Sequence, residues 1–404
     1  MNKLVCLLLA VLLSGCMQSI RLNDRAIMEG MAIDRAEDGG YRITMQVAGV
    51  GGTGESSEPA LTVIEQEGGS LTEALARCSS QQGRQMFLGN CSLLVIGAEL
   101  AQDGLDYLLE FFNANYRVNP SLTVLLAQGE AAPLLCAQKE NPLLSAEGLV
   151  DSVNASIKGG YLVRSHLIDL IDAIRGPQGA AVLPLVYLQQ PQSAESSSGE
   201  NAASSENTAS SEDASSEQPE PSQQSTQPLR LQYAGLGLLQ GDRLQALLST
   251  QDAQGLAWIQ NRIEARALEV SEPQFGRVSA VLRPKKLCLE PELTGDLLVL
   301  NLHLKVHSTV LETELADGSR MGDAERTYTQ RLQERAITKE IESLLADTLK
   351  QGYDVFGVSQ LIRQRLPDYY RAHQQNWTEA LQQMGFAVQV ECVIDRSGVD
   401  QSIH

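Results

Sequence analysis

The chain of 404 residues carries 31 Lys and Arg against 50 Asp and Glu, a formal net charge of −19, and is 43% apolar but only 4% aromatic. That length suits two or three globular domains. The acidity excludes nucleic acid as a partner and opposes attachment to anionic lipid through charge, so that any acyl anchor must hold a membrane alone.

The chain opens MNKLVCLLLAVLLSGC, with ten apolar residues from Leu4 to Leu13 behind the basic Lys3. A spanning helix needs about 20 apolar residues, so this run is too short to cross a bilayer and matches a secretory signal peptide. Leu13-Ser14-Gly15-Cys16 resembles the bacterial lipobox. The resemblance implies cleavage between Gly15 and Cys16, a diacylglyceryl group on the Cys16 sulfur, and a mature chain tethered to the outer face of a membrane. Acyl chains contribute about 0.8 kcal/mol per buried CH₂. No other stretch is long and apolar enough to span.

Past the anchor, strands alternate with helices. Tyr41 to Val47 alternates with period two and reads as a strand. Ser70-Leu71-Thr72-Glu73 is a capping box opening a helix to about Gln82. Ser92 to Ile96 and Leu122 to Ala127 read as buried strands, with a helical stripe of Leu105, Leu108, Leu109 and Phe112 between them. From Gln189 to Pro228 the chain is mostly Ser, Glu, Gln, Ala and Pro, with no aromatic or basic residue. Such a segment cannot bury enough apolar surface to offset the entropy of ordering it, and reads as a disordered acidic insertion.

Beyond the insertion, Leu236 to Leu239 leads into a turn at Gln240-Gly241-Asp242. Leu297 to Val310 is the clearest strand, with Leu298, Leu300, Leu302, Leu304 and Val306 on one face. Ile337, Ile341, Leu344, Leu345 and Leu349 mark an amphipathic helix ending near Gly352. A second helix stops before Pro367. A third carries Tyr370, Trp377, Leu381 and Met384, with Gly385 as its stop. The chain closes on a strand from Phe386 to Ile394. The class is α+β with mixed α/β units, expected as three sheet-and-helix domains: signal peptide 1–15, N-terminal domain 16–130, middle domain 131–188 with 229–275, insertion 189–228, and C-terminal domain 276–404.

Candidate chemistry is sparse. Gly49-Val50-Gly51-Gly52-Thr53-Gly54 fits a phosphate-binding pattern, but Glu55-Ser56-Ser57-Glu58-Pro59 follows instead of a helix, so it reads as a glycine loop. His303 and His307 would lie about 13 Å apart on a strand, too far for one ion. Of seven cysteines, Cys6 leaves with the signal and Cys16 takes lipid. Cys78, Cys91, Cys136, Cys288 and Cys392 form neither a disulfide framework nor a CxxC metal site. Cys78 shares a face with Leu71 and Leu75, and Cys392 with Val388 and Val390; both read as buried hydrophobes. There is no GxSxG, HExxH or Walker pattern. The expectation is no catalytic, cofactor-binding or metal-binding residue.

The order of segments resembles the Ger(x)C family of spore germination lipoproteins. Asn23-Asp24-Arg25-Ala26-Ile27-Met28-Glu29-Gly30-Met31-Ala32-Ile33-Asp34 is similar to the family's opening, and Gly69 to Leu75 and Gly83 to Gly89 follow in order. Gly255-Leu256-Ala257-Trp258-Ile259 is similar to its G-x-x-W-I pattern, and Tyr353-Asp354-Val355-Phe356-Gly357 and Asn376-Trp377 match near the end. The resemblance implies three mixed α/β domains and a non-catalytic subunit of a nutrient germinant receptor at the spore inner membrane. It implies assembly with two integral membrane subunits, one permease-like. A solute-binding lipoprotein of a transporter, with two lobes joined by hinge strands, and an extracytoplasmic enzyme are the alternative classes.

Overall fold

The computed structural model describes residues 25–48, 61–115, 118–176, 179–189 and 229–395. The signal segment, Gly15, Cys16, the glycine loop at 49–54 and nearly all of the acidic insertion lie outside those residues. The first sheet takes β1 (Arg25–Arg35), β2 (Tyr41–Ala48) and β3 (Leu61–Gly68). After α1 (Leu71–Gln82) come β4 (Gln85–Phe87), β5 (Leu93–Ile96), α2 (Ala98–Asp103), α3 (Asp106–Ala114) and β6 (Thr123–Ala127). Then follow α4 (Ala132–Cys136), α5 (Ala146–Lys158), α6 (Leu167–Arg175), β7 (Ala180–Gln189), β8 (Arg230–Gln240) and β9 (Arg243–Leu248). The strands lie in the order β3-β2-β1-β5-β6-β7-β8-β9, with β4 beside the start of β1. β1, β5, β6 and β7 run parallel, and the flanking strands are antiparallel hairpins.

Strict alternation along β5 and β6 explains why both faces are covered. Leu94, Ile96, Val124 and Leu126 pack beneath α1, α2, α3 and α6. Leu93, Val95, Leu125 and Ala127 pack beneath α4 and α5 on the other side. A parallel strand buried on both faces is a continuous apolar run, which is how Leu93 to Ile96 reads. The Ser70 hydroxyl accepts from the Glu73 amide at 3.2 Å, as the capping box requires, while Glu73 reaches one residue farther back, to the Gly69 amide at 3.0 Å. Gly83, at φ 63°, ends α1 in the left-handed region.

The second unit takes α7 (Thr250–Gln260), β10 (Arg266–Glu272), β11 (Gly276–Thr294), β12 (Leu297–Leu315), α8 (Asp323–Asp347), α9 (Val358–Arg365), α10 (Pro367–His373), α11 (Trp377–Gln383) and β13 (Gly385–Ile394). Its sheet runs β10-β11-β12-β13, antiparallel until β13, which lies parallel to β12. Leu298, Leu300, Leu302, Leu304 and Val306 are buried as the alternation requires, and His303, Lys305 and His307 face outward.

The mixed α/β class holds, on two sheets. The segments 131–188 and 229–275 are divided between them: β7, β8 and β9 extend the first sheet, and β10 begins the second. The residues from Gly30 to Asp34 form the second half of β1, a strand inside the first sheet. Two local expectations change. The amphipathic helix starts at Asp323, well before its apolar stripe. The expected third helix is two short ones, broken where Asn376 leaves helical geometry (φ −118°, ψ 37°), and Gly385 opens β13.

Candidate functional site

No group of three or more His, Cys, Asp or Glu side chains is placed to hold a metal ion among the described residues. All five described cysteines are free. Burial pushes the Cys78 thiol up to about 11 and those of Cys91 and Cys392 up to about 12, from an ordinary value near 9. Each is therefore an inert thiol. Because the folded values are raised, the stabilisation from keeping these thiols neutral is complete below pH 9 and is lost as pH climbs toward 11 and 12. Thiol labelling at pH 8 is expected to modify half-buried Cys136 and Cys288 in the folded protein, and to reach Cys78, Cys91 and Cys392 only in urea. Fast labelling of those three without urea would contradict this placement. His303 is exposed, and His307 is engaged by Asp395 at 2.7 Å, so the two share no ligand.

The most densely built polar constellation joins the two sheets. Ser249 and Asp252 form a reciprocal capping box that starts α7, the helix leaving the first sheet. Asp252, 1% exposed, also accepts from the Ser343 hydroxyl of α8 at 2.7 Å. One turn on, a Cβ at Gly255 would overlap the Glu340 carbonyl oxygen, so only glycine lets α7 lie against α8. One further turn on, the Trp258 indole donates to Glu340 Oε2 at 2.8 Å. The same carboxylate takes a bidentate pair from Arg266, Nη1 donating to Oε2 at 2.7 Å and Nη2 to Oε1 at 2.6 Å. Arg266 also lies 5.2 Å from the Trp258 ring. Trp258 is wholly buried and Arg266 is 3% exposed. Gly255 and Trp258 are two of the three fixed residues of the G-x-x-W-I pattern, Ile259 being the third. The spacing of three puts both on the helix face that meets α8.

Other signature residues are also packing or capping devices. Asp34 accepts from the Ala131 and Ala132 amides at 2.7 and 2.9 Å at the start of α4. Burial holds its carboxyl above the usual range even so. A Cβ on Gly30 would stand 2.6 Å from Ala146 of α5. Asp354, 2% exposed, takes the amides of Gly357, Val358 and Ser359 at 2.9, 2.8 and 2.6 Å, capping α9. Trp377 donates to Ser359 at 2.7 Å.

Sequence reasoning missed Arg266 and Glu340. They stand 74 positions apart, and Glu340 sits in Lys339-Glu340-Ile341-Glu342, where a carboxylate reads as solvated. The clefts open within single units. One of about 1100 Å³ lies between α1, α3 and the β8–β9 turn, and one of about 630 Å³ lies beside Phe275 and Tyr328. No helix among the described residues is long and apolar enough to cross a membrane.

The comparisons cover the chain on both sides of the acidic insertion. The family described as spore germination protein N-terminal domain matches residues 18–188, and that described as spore germination B3/GerAC-like, C-terminal, matches residues 234–398. Spore germination protein KC of Bacillus subtilis (strain 168) is 22% identical across 97% of this chain and 94% of its own length. A putative spore germination protein of the same organism, YfkR, is 19% identical across 97% and 95%. The crystal structure of the GerBC protein shares the fold, with a TM-score of 0.55 at 14% identity, over 91% of this chain and 97% of that one. The matched regions lie on either side of the acidic insertion; the N-terminal one carries β1 to β7 of the first sheet, and the C-terminal one carries the rest of that sheet, the second sheet, and Gly255 and Trp258 at their joint. The chain belongs to the Ger(x)C family of spore germination proteins.

Proposed function

We propose that this protein is the lipid-anchored, non-catalytic subunit of a spore nutrient germinant receptor. It is tethered through Cys16 at the outer face of the spore inner membrane and assembled with two integral membrane subunits, one permease-like. The observation that carries the reading is the pair of germination-family matches, in order, on both sides of the insertion. The signature residues that can be placed support it. Asp34, Gly255, Trp258 and Asp354 serve packing and capping, as in a scaffold whose work is to present surfaces. In this reading the anchor confines the folded units to the membrane plane and raises their effective concentration for their partners, without any bond being made or broken. Residues 1–15 are the removed signal peptide, cut between Gly15 and Cys16.

Cys16→Ala tests the anchor. The variant is expected to keep the folded units and to lose about tenfold or more of its membrane fraction, since stable attachment takes acyl chains. A variant that stays with the membrane at the level of the natural chain would show that the lipid does not hold it.

A further inference from the structure

Charge is unevenly spread on the second unit. β11 carries Arg283, Lys285 and Lys286, and α9, which packs against that strand, carries Arg363 and Arg365. All five side chains are exposed, and none makes an ion pair among the described residues. Strand and helix converge: Glu290 pushes the Cys288 thiol up by accepting from it, while Lys286 and Arg365 both pull it down. The neighbouring cations of the outer face are already matched, Lys305 by Glu391 at 2.9 Å and His307 by Asp395 at 2.7 Å. Cations that make no ion pair are therefore concentrated along one edge of β11 and the adjoining end of α9, with the Glu290 carboxylate beside them.

That edge is open. β10 pairs with β11 only from Gly276 to Leu282, and past Leu282 no further strand lies beside it among the described residues. Pro284 and Pro291 stand in this stretch and oppose the addition of a partner strand. A docked protein is anchored by aromatic or aliphatic side chains in pockets. The adjacent hollow, of about 380 Å³, is lined instead by residues such as Lys286, Cys288, His303 and Glu391, with Leu304 its one large apolar side chain. A broad anionic surface fits these features better than a peptide does.

We infer that the β11 edge and α9 form a second membrane contact, a cationic surface that meets the headgroups of anionic phospholipid. The inference rests on the proposed function only in placing the protein beside a bilayer; the contact itself needs no acyl chain. The net charge of −19 does not forbid it. At physiological salt the Debye length is about 8 Å, so headgroups respond to the nearby cations rather than to distant carboxylates. Juxtamembrane Lys and Arg each add to such attraction. The anchor then has help that net charge alone conceals.

The test uses the mature chain, residues 16–404, carrying Cys16→Ala and hence no lipid, in co-sedimentation with vesicles. Binding to phosphatidylglycerol-containing vesicles is expected to exceed binding to pure phosphatidylcholine by about tenfold or more, and to vanish in high salt. Lys285→Glu/Lys286→Glu/Arg365→Glu should remove that preference with an unchanged melting temperature, because all three side chains are exposed. Lys139→Glu/Arg262→Glu/Arg320→Glu, an equal charge change at other exposed sites, should retain most of it. Equal loss in both triple variants, no preference in the parent chain, or retention on an acidic peptide but not on vesicles would each overturn the inference. Because the tested chain carries no acyl group, failure here leaves the Cys16 anchor standing, and failure of Cys16→Ala fractionation leaves this surface standing.

Discussion

Gly255→Leu is expected to separate α7 from α8 and to lower the stability of the chain by at least about 3 kcal/mol. The argument is steric. A Cβ at this position would overlap the carbonyl oxygen of Glu340, and the next neighbour, the Leu344 side chain, already stands within contact distance. Backbone cannot give way as the end of a side chain can. A leucine must therefore push the helices apart. That separation also breaks the bonds that depend on their closeness, from Trp258 to Glu340 and from Ser343 to Asp252. Urea unfolding followed by tryptophan fluorescence reads the result, since Trp258 is wholly buried here. Gly255→Ala should show a smaller shift of the same sign. A Gly255→Leu chain that unfolds at the natural midpoint would show that the close approach is not needed.

Glu340→Ala is the second large effect, and its chemistry is different. The carboxylate satisfies three donors, the Trp258 indole and two guanidinium nitrogens of Arg266. Removing it strands a cation that is 3% exposed, and breaking a buried pair in this way costs about 3–5 kcal/mol. Glu340→Gln should cost less, because the amide oxygen still accepts. Arg266→Met combined with Glu340→Met should recover most of the loss, since removing both charges removes their desolvation cost. The double variant is then far from the sum of the single ones, as expected for groups in direct contact. Added salt should leave the pair unchanged while weakening the exposed Arg77–Glu73 pair. A single Glu340→Ala variant within about 1 kcal/mol of the natural chain would contradict this picture.

These effects bear on how much could be read from the sequence. Period-two patterning placed β12 and its two faces, because alternation maps directly onto core and solvent. The capping box at Ser70 was legible because both partners lie within one turn. The opening strand was hidden. Met28, Met31, Ala32 and Ile33 are all buried, so β1 is covered on both faces and shows no alternation. The first half of α8 was hidden for the opposite reason: Asp323 to Ala336 is largely polar and charged, and of its buried residues Thr329 and Gln333 are polar, leaving Leu332 as the one buried apolar side chain. Whether a strand joins the first or second sheet depends on pairing across tens of residues, which no local pattern records. The joint was half legible. Gly255 and Trp258 stood out as a pattern without a reason, and the reason lay with Glu340 and Arg266.

The central claim is that this chain works by assembly at a membrane. The most direct measurement is gentle detergent extraction of spore membranes, capture of this protein, and mass spectrometry of what accompanies it. Two multi-span subunits in comparable amount, one of them permease-like, is the predicted result. Recovery of the protein alone, or with the components of an ATP-driven transporter, would contradict it.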